Sequence, residues 1–176
     1  MDKEPLAATP ADAETGTLYT PYEDALIFDG NKGGKRLAMV MEKAPQAIEE
    51  LRQMVEDLGY TCVLAENSDR AINKLHFHHF ELILLSEGFE EVELGRGPML
   101  RYINSLPMSL RRRIFLTLIG DGFRSMDRMM AFAMSANLVV NRKDMDKLAA
   151  ILRLEILDNQ TFYRVFVETL SEVGKA

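Results

Sequence analysis

The 176-residue sequence has a single cysteine, no tryptophan and no long apolar run, and each shortage excludes a class of protein. One cysteine, Cys62, rules out an intramolecular disulfide framework, and no CxxC or Cys/His spacing suited to zinc is present. No run approaches the roughly 18 apolar residues of a membrane span, and the first residues lack the apolar core of a signal peptide. We therefore expect a cytoplasmic protein without a membrane segment.

The sequence also has fewer basic than acidic residues, because 21 lysines and arginines and 27 acids give a formal net charge of -6. This balance disfavours nucleic acid and anionic membranes as partners. The arginines at 111–113 are a local exception, which either binds an anion or acidic partner or forms a solvated turn. Three arginines make too few phosphate contacts for tight DNA binding, so no nucleic-acid or membrane partner is predicted.

The hydrophobic content of 47% is enough for one core of ordinary size, and the apolar pattern places that core after residue 35. Residues 1–16 lack apolar periodicity and predict a disordered tail, or a linker within a longer protein. Residues 18–35 carry aromatics and one apolar run, 25–28, before a Gly-rich turn, which predicts a strap or an extra edge strand. The predicted organisation is an N-terminal tail or linker, 1–35, followed by one domain, 36–176.

From residue 36 onward, short apolar runs alternate with amphipathic helical patterns. The predicted strands are 37–41, 60–65, 82–85, 114–119 and 138–140, and the predicted helices begin at Pro45, Ser68, Pro98, Ser125 and Asp144. Strands that are apolar on both faces, set between such helices, predict a parallel sheet covered on both sides. We predict a doubly wound α/β domain of the flavodoxin-like kind, with strand order 2-1-3-4-5. Residues 159–174 form either a sixth helix or a continuation of the fifth.

The layout of residues 36–157 resembles the receiver domains of response regulators in bacterial two-component signalling. In that family an acid pair after the first strand holds Mg²⁺, and an aspartate ending the third strand accepts a phosphoryl group. A hydroxyl and a lysine at the ends of the fourth and fifth strands stabilise the product. The matching positions here are Glu42 with Lys43, Ser86, Ile119, and Asn141 with Arg142. The resemblance implies the receiver fold with almost every functional side chain replaced.

These replacements predict a pseudo-receiver without phosphoryl chemistry and without a metal or other cofactor. Ser86 is not a carboxylate and has no evident base, Lys43 is a cation where a metal ligand would lie, and Ile119 cannot hydrogen-bond to a phosphoryl oxygen. A shifted register, in which Glu87 or Asp121 supplies a carboxylate, is the alternative to two solvated loop acids. No nucleophile and base can be paired from the motifs, so the chain is not expected to be an enzyme.

Two further motifs favour structural explanations. His76, His78 and His79 lie near the predicted end of the second helix, where His76 and His79 would share a side and His78 would point away. Converging metal ligation is therefore not expected. The loop 120–127, GDGFRSMD, borders the crevice but lacks the lysine and additional glycines of a phosphate-binding loop.

The fourth predicted helix is apolar nearly all round, and the C-terminal segment adds a second apolar face. Since a surface helix needs only one apolar stripe, the surplus predicts an interface. In receiver-like domains this side is the usual output and dimer surface. We predict a non-catalytic, phosphorylation-independent signalling or adaptor module that binds a protein partner, a second copy of itself included. The candidate interface residues are Met126, Met129, Met130, Phe132, Phe162, Val165, Phe166 and Leu170.

A second hypothesis makes the degenerate crevice a sensor site for a nucleotide or another small anion. Lys43 and Arg142 favour it, because both are cations at the predicted strand ends. The sequence leaves both hypotheses open and does not identify a partner. The crevice residues are Glu42, Lys43, Ser86, Glu87, Ile119, Gly120, Asp121, Asn141 and Arg142.

Overall fold

The computed structural model describes residues 36–172, with the side chains of 165–168 and 170–172 outside the description. Its strands are β1 Arg36–Met41, β2 Tyr60–Leu64, β3 Leu82–Ser86, β4 Phe115–Gly120 and β5 Leu138–Asn141. They form one parallel sheet in the order β2-β1-β3-β4-β5, which confirms the predicted topology. The tail and strap predicted at 1–35 lie outside the described residues.

Helices connect the strands and cover both faces of the sheet. They are α1 Pro45–Asp57, α2 Ser68–Phe77, α3 Pro98–Ser105, α4 Arg128–Ala133 and α5 Leu148–Glu172. Leu94–Arg96 and Arg142–Lys147 are 3₁₀ segments, and Met108–Arg111 is a single helical turn. The α5 helix runs unbroken through 25 residues, so the C-terminal segment continues the fifth helix.

The alternation of side chains along the strands divides the core into two layers. On one side, α1 and α5 contribute Leu51, Val55, Leu148 and Leu152. On the other, α2, α3 and α4 contribute residues that include Ala71, Met99, Ile103 and Ala131. Burial on both faces explains why β1, β3 and β4 are nearly continuous apolar runs.

Two helices begin later than predicted. The α4 helix begins at Arg128 rather than Ser125, because Met126 takes a positive φ of 63° and Asp127 caps the helix by accepting from Met130 N–H at 2.9 Å. The α5 helix begins at Leu148 rather than Asp144, because Asp144 is non-helical, with φ -103° and ψ 19°. Apolar spacing does not reveal the backbone angles of single residues.

The predicted arrangement of the histidines was wrong in one respect. The α2 helix ends at Phe77, and His78 is extended, with φ -131° and ψ 146°, so His79 does not share a helix side with His76. Across residues 36–172 no group of three His, Cys, Asp or Glu side chains is placed to hold a metal ion. In the same range no helix is long and apolar enough to cross a membrane.

Candidate functional site

The carboxyl ends of the central strands meet at one edge of the sheet and form the predicted crevice. Ser86 lies opposite Ile119 in the register of β3 and β4, and Gly120 lies opposite Asn141 in that of β4 and β5. Glu42 directly follows β1. Parallel pairing therefore brings these five positions to the same edge, although they are far apart in the sequence.

An ion pair spans this crevice. Arg142 Nη1 donates to Glu42 Oε2 at 3.0 Å, and Arg142 Nη2 donates to the carbonyl oxygen of Glu87 at 2.6 Å. The Glu42 side chain is only 4% exposed and that of Arg142 is 29% exposed. Arg142 therefore joins the acid position after β1 to the backbone directly after the end of β3.

The other carboxylate oxygen of Glu42 is held by the backbone. Its Oε1 accepts from Lys43 N–H at 2.7 Å and from Ala44 N–H at 3.0 Å. Burial alone would raise the pKa of Glu42, but the backbone hydrogen bonds from Ala44 and Lys43, the nearby hydroxyl of Ser86 and the charge of Arg142 outweigh it and hold the pKa below its ordinary value of 4.5. Glu42 is therefore ionised at neutral pH, with both oxygens committed to protein donors.

Ser86, at the position of the family's phosphoryl acceptor, is 1% exposed. Its hydroxyl lies near enough to lower the pKa of Glu42, yet Oγ makes no hydrogen bond of standard geometry within residues 36–172. Activating a serine requires a base, and a carboxylate with a lowered pKa is a weak one.

Burial also raises the pKa of the Cys62 thiol to about 12, which keeps it protonated and unreactive.

The crevice does not fit the Mg²⁺ that the family resemblance would imply. Magnesium needs several oxygen ligands in near-octahedral geometry, and Glu42 is already neutralised by Arg142 and lies beside the cationic Lys43. Glu87, one of the two acids of the shifted register, instead accepts from the backbone N–H of Asp121 through Oε2 at 2.9 Å. Asp121 itself is exposed. No metal-dependent step follows from this set of side chains.

Asn141, at the position of the family's lysine, supports the surrounding loops. Its Nδ2 donates to the carbonyl oxygens of Asp121 at 3.0 Å and Phe123 at 2.6 Å, and its Oδ1 accepts from Lys143 N–H at 2.9 Å. Neighbouring Gly120 gives these loops room, since a Cβ there would lie 2.8 Å from Glu87 Oε2. Both residues therefore shape the rim of the crevice.

The predicted interface residues on α4, and Met126 just before it, reach solvent. Met129 and Phe132 are 76% and 80% exposed, and Met126 and Met130 are each 40% exposed. On α5, Phe162 is 80% exposed. The side chains of Val165, Phe166 and Leu170 lie outside the described residues.

The α4 and α5 helices pack on opposite faces of the sheet and are connected by ion pairs beside its outer strand, β5. Arg128 at the start of α4 pairs with Asp158 at 3.2 Å and with Glu155 at 3.7 Å, both on α5. Glu155 is largely buried in this contact. These ion pairs connect the two helices beside β5, the outer strand of the sheet.

Sequence analysis missed two exposed leucines on α5, Leu154 and Leu157. Helical spacing from the buried Leu148 and Leu152 turns both outward, and that signal could have identified them. They extend the exposed apolar residues of α5 from Phe162 towards the start of the helix. We define the α4–α5 surface as Met126, Met129, Met130, Phe132, Leu154, Leu157 and Phe162.

No protein-family model and no curated protein matches this sequence. Solved structures match its fold. The signal receiver domain of an HD-domain-containing protein from Pseudomonas fluorescens Pf-5 is 14% identical, with a TM-score of 0.55, and the match covers 74% of this chain and 93% of that one.

Two further solved structures give the same result. An orphan response regulator of H. pylori is 14% identical, with a TM-score of 0.52 and coverage of 69% and 97%. The signal receiver domain of a histidine kinase from Syntrophus aciditrophicus is 20% identical, with a TM-score of 0.52 and coverage of 68% and 89%. The fold is shared over nearly the whole of each neighbour, while the identity is low. The described chain is therefore a divergent domain with the fold of the response-regulator receivers.

Proposed function

We propose that this chain is a receiver-fold signalling module that works by binding protein, without a phosphoryl switch. The observation that carries the proposal is the ion pair of Arg142 with Glu42 beside a serine at position 86. A phosphoryl switch needs a carboxylate acceptor and a metal to neutralise charge. Here Ser86 cannot form an acyl phosphate, and the remaining carboxylate already has a cation from its own chain.

The proposed binding site is the α4–α5 surface, and the first partner is a second copy of the chain. Large apolar side chains that cluster on one exposed face mark interaction sites in soluble proteins. Met129 and Phe132 are the most exposed of those on α4. A two-fold axis would place the same face of each copy against the other and bury both sets at once.

The rival hypothesis, an anion sensor in the crevice, has less support. Of the two cations that favoured it, Arg142 is engaged with Glu42 and with the carbonyl oxygen of Glu87. Lys43 is exposed and remains available at the rim. A thermal-shift screen of nucleotides and metabolites separates the two functions, because a ligand at 100 times its Kd adds about 2.7 kcal/mol of stability.

The absence of a phosphoryl switch is tested with beryllofluoride and Mg²⁺, or with acetyl phosphate and Mg²⁺. We expect no saturable change in the amide spectrum of the wild-type chain. The double variant Ser86→Asp/Lys43→Asp serves as the comparison, because it restores two oxygen ligands and should bring back a response to Mg²⁺. A stoichiometric, saturable response of the wild-type chain would contradict the proposal.

Self-association is tested by analytical ultracentrifugation across a range of concentrations. The variant Met129→Lys/Phe132→Lys should weaken dimerisation at least about tenfold, as expected for central apolar contacts. Phe77→Lys is the matched control, because Phe77 is 76% exposed but lies on α2. A wild-type chain that stays monomeric at high concentration would exclude self-association. Crosslinked pull-down from the native cell would then be needed to find another partner.

A further inference from the structure

A second site lies at the opposite end of the sheet from the crevice. The amino ends of the strands, the end of α2 and the middle of α5 line a cavity of about 880 Å³ that opens to solvent. This volume is within the range of about 300–1,000 Å³ that proteins use to hold ligands. We call it the basal cavity, and nothing in the proposed signalling function uses it.

The wall of the basal cavity is apolar and aromatic. Leu75, Phe80, Leu106 and Ile114 line it, and Tyr102 and Tyr163 add aromatic rings. Phe80 and Ile114 belong to the buried core, while Leu110 at the rim is exposed. An apolar wall of this kind favours an occupant with aliphatic or aromatic side chains.

The charge of the basal cavity is positive. Arg36, Arg112, Arg113 and Arg164 all line it. Among the described lining residues Glu81 is the only acid, and Arg36 already pairs with it at 2.7 Å. The described lining therefore has more basic than acidic groups, and an occupant with acidic groups next to its apolar part would complement it.

The chain's own N-terminal segment has this combination. Residues 18–29 contain three acids, Glu23, Asp24 and Asp29, and no lysine, arginine or histidine. These acids flank the apolar run 25–28, and Tyr19 and Tyr22 precede it. Apolar and acidic groups therefore alternate along the segment in the way that the cavity requires.

The segment is also attached at the cavity itself. Arg36, which begins β1, is one of the lining residues. The seven residues 29–35 separate it from Phe28 and can span about 23–25 Å when extended. A tether of this length gives an effective concentration on the order of millimolar, which a second copy or a free ligand would have to exceed.

We propose that residues 18–29 dock in the basal cavity of the same chain, with 25–28 against its apolar wall and the flanking acids facing its arginines. The segment acts as a built-in strap across the amino ends of the strands. This docking is independent of the α4–α5 surface, so either proposal can fail without the other.

Disulfide trapping tests the location of the strap. In a Cys62→Ser background, Leu26→Cys, Ile27→Cys or Phe28→Cys is combined with Leu110→Cys at the cavity, or with Lys43→Cys at the opposite end of the sheet. Lys43 is within reach of an undocked tail, since β1 and the spacer are of similar length. At low micromolar protein we expect intramolecular crosslinking with Leu110→Cys to be at least about tenfold faster than with Lys43→Cys.

Three results of this experiment would overturn the proposal. Equal rates for the two sets would show an undocked tail. Disulfide-linked dimers would assign the cavity to a second copy. A native mass greater than that of the chain alone would show that a small ligand occupies the cavity instead.

Charge reversal tests the role of the arginines by hydrogen exchange in the full chain. Arg112→Glu/Arg113→Glu should speed amide exchange of residues 25–28 at least about tenfold, and adding Glu23→Arg/Asp24→Arg should restore protection. Arg101→Glu/Arg153→Glu, at exposed positions outside the cavity, is the control and should change nothing. Amides at 25–28 that exchange in the wild-type chain as fast as in a free peptide would refute docking.

Discussion

At the scale of single residues, Arg142 is a counter-ion that belongs to the chain. In a receiver of the usual kind, clustered acids recruit a metal ion, so the charge of the crevice depends on what is bound. Here Glu42 is neutralised by a side chain at 3.0 Å. Under the proposed function, the charge balance of the crevice should therefore stay the same whatever the concentration of Mg²⁺ or of a phosphoryl donor.

The lowered pKa of Glu42 predicts a dependence of stability on pH. Because the folded pKa lies below the unfolded one, the contribution is present above the ordinary value of 4.5 and is lost as pH falls through the folded pKa. Glu42→Gln should remove it, and should cost about 1–3 kcal/mol at neutral pH by leaving Arg142 without its acid. Urea unfolding between pH 7 and pH 3, about the range in which carboxylates titrate, measures both effects.

Glu66→Gln is the control for this prediction, since Glu66 is exposed on the loop after β2. It should leave the pH profile of the wild-type chain unchanged. If the free energy of unfolding changed with pH in the same way for the wild type and for Glu42→Gln, Glu42 would not be the titrating group.

Sequence placed Glu42, Ser86 and Arg142 at the crevice because strand ends can be located from apolar runs. It did not pair Glu42 with Arg142, since that contact depends on loop backbones after two different strands. For the same reason Arg142 was counted among the cations that favoured the alternative hypothesis of an anion sensor. Net charges along a chain do not show which charges are already satisfied.

At the scale of elements, Glu90 joins the starts of two helices. Its Oε1 accepts from the hydroxyl of Ser68 at 2.8 Å, where α2 begins, and from Met99 N–H at 2.9 Å, where α3 begins. The buried backbone of Gly97 packs against this carboxylate, in the space that a side chain at position 97 would occupy. The packing of α2 against α3 therefore depends on a residue without a side chain at position 97.

Gly97→Ala should destabilise the fold through this contact. The added Cβ would lie 1.5 Å from Glu90 Oε2, so the carboxylate must move and its hydrogen bonds must weaken. We expect a loss of about 1–3 kcal/mol in urea unfolding, as for other overpacked sites. Gly122→Ala is the matched control, because a Cβ there has nothing within 4 Å. Equal stabilities for the two variants would contradict the prediction.

The sequence predicts the positions of the strands better than the residues at which the helices begin. Strands that are buried on both faces leave continuous apolar runs, and all five were located within about two residues. The start of α4 was misplaced because Met126 has an apolar side chain in a left-handed conformation. Its residue type favours a helix, and only the surrounding loop determines its backbone angles.

At the scale of the whole molecule, the two proposed contacts should respond to salt in opposite ways. Association through the apolar α4–α5 surface should stay constant or strengthen between 0.05 and 0.5 M NaCl, about the range in which surface charges become screened. Docking of residues 18–29 on the arginines should weaken, with faster amide exchange at 25–28. Sedimentation measures the dimerisation and hydrogen exchange measures the docking, with both experiments done at the same series of NaCl concentrations. Dimers that dissociate with rising salt would mean that charge drives their association.

The ion pair between Glu42 and Arg142 also has a consequence for the time course of folding. Its partners are 100 residues apart in the sequence, so it can form only after β1 and the turn following β5 have reached the same edge of the sheet. We expect a contact between such distant residues to be absent from the folding transition state. Its loss should accelerate unfolding and leave the folding rate nearly unchanged. The pair should therefore slow unfolding of the native state more than it accelerates folding.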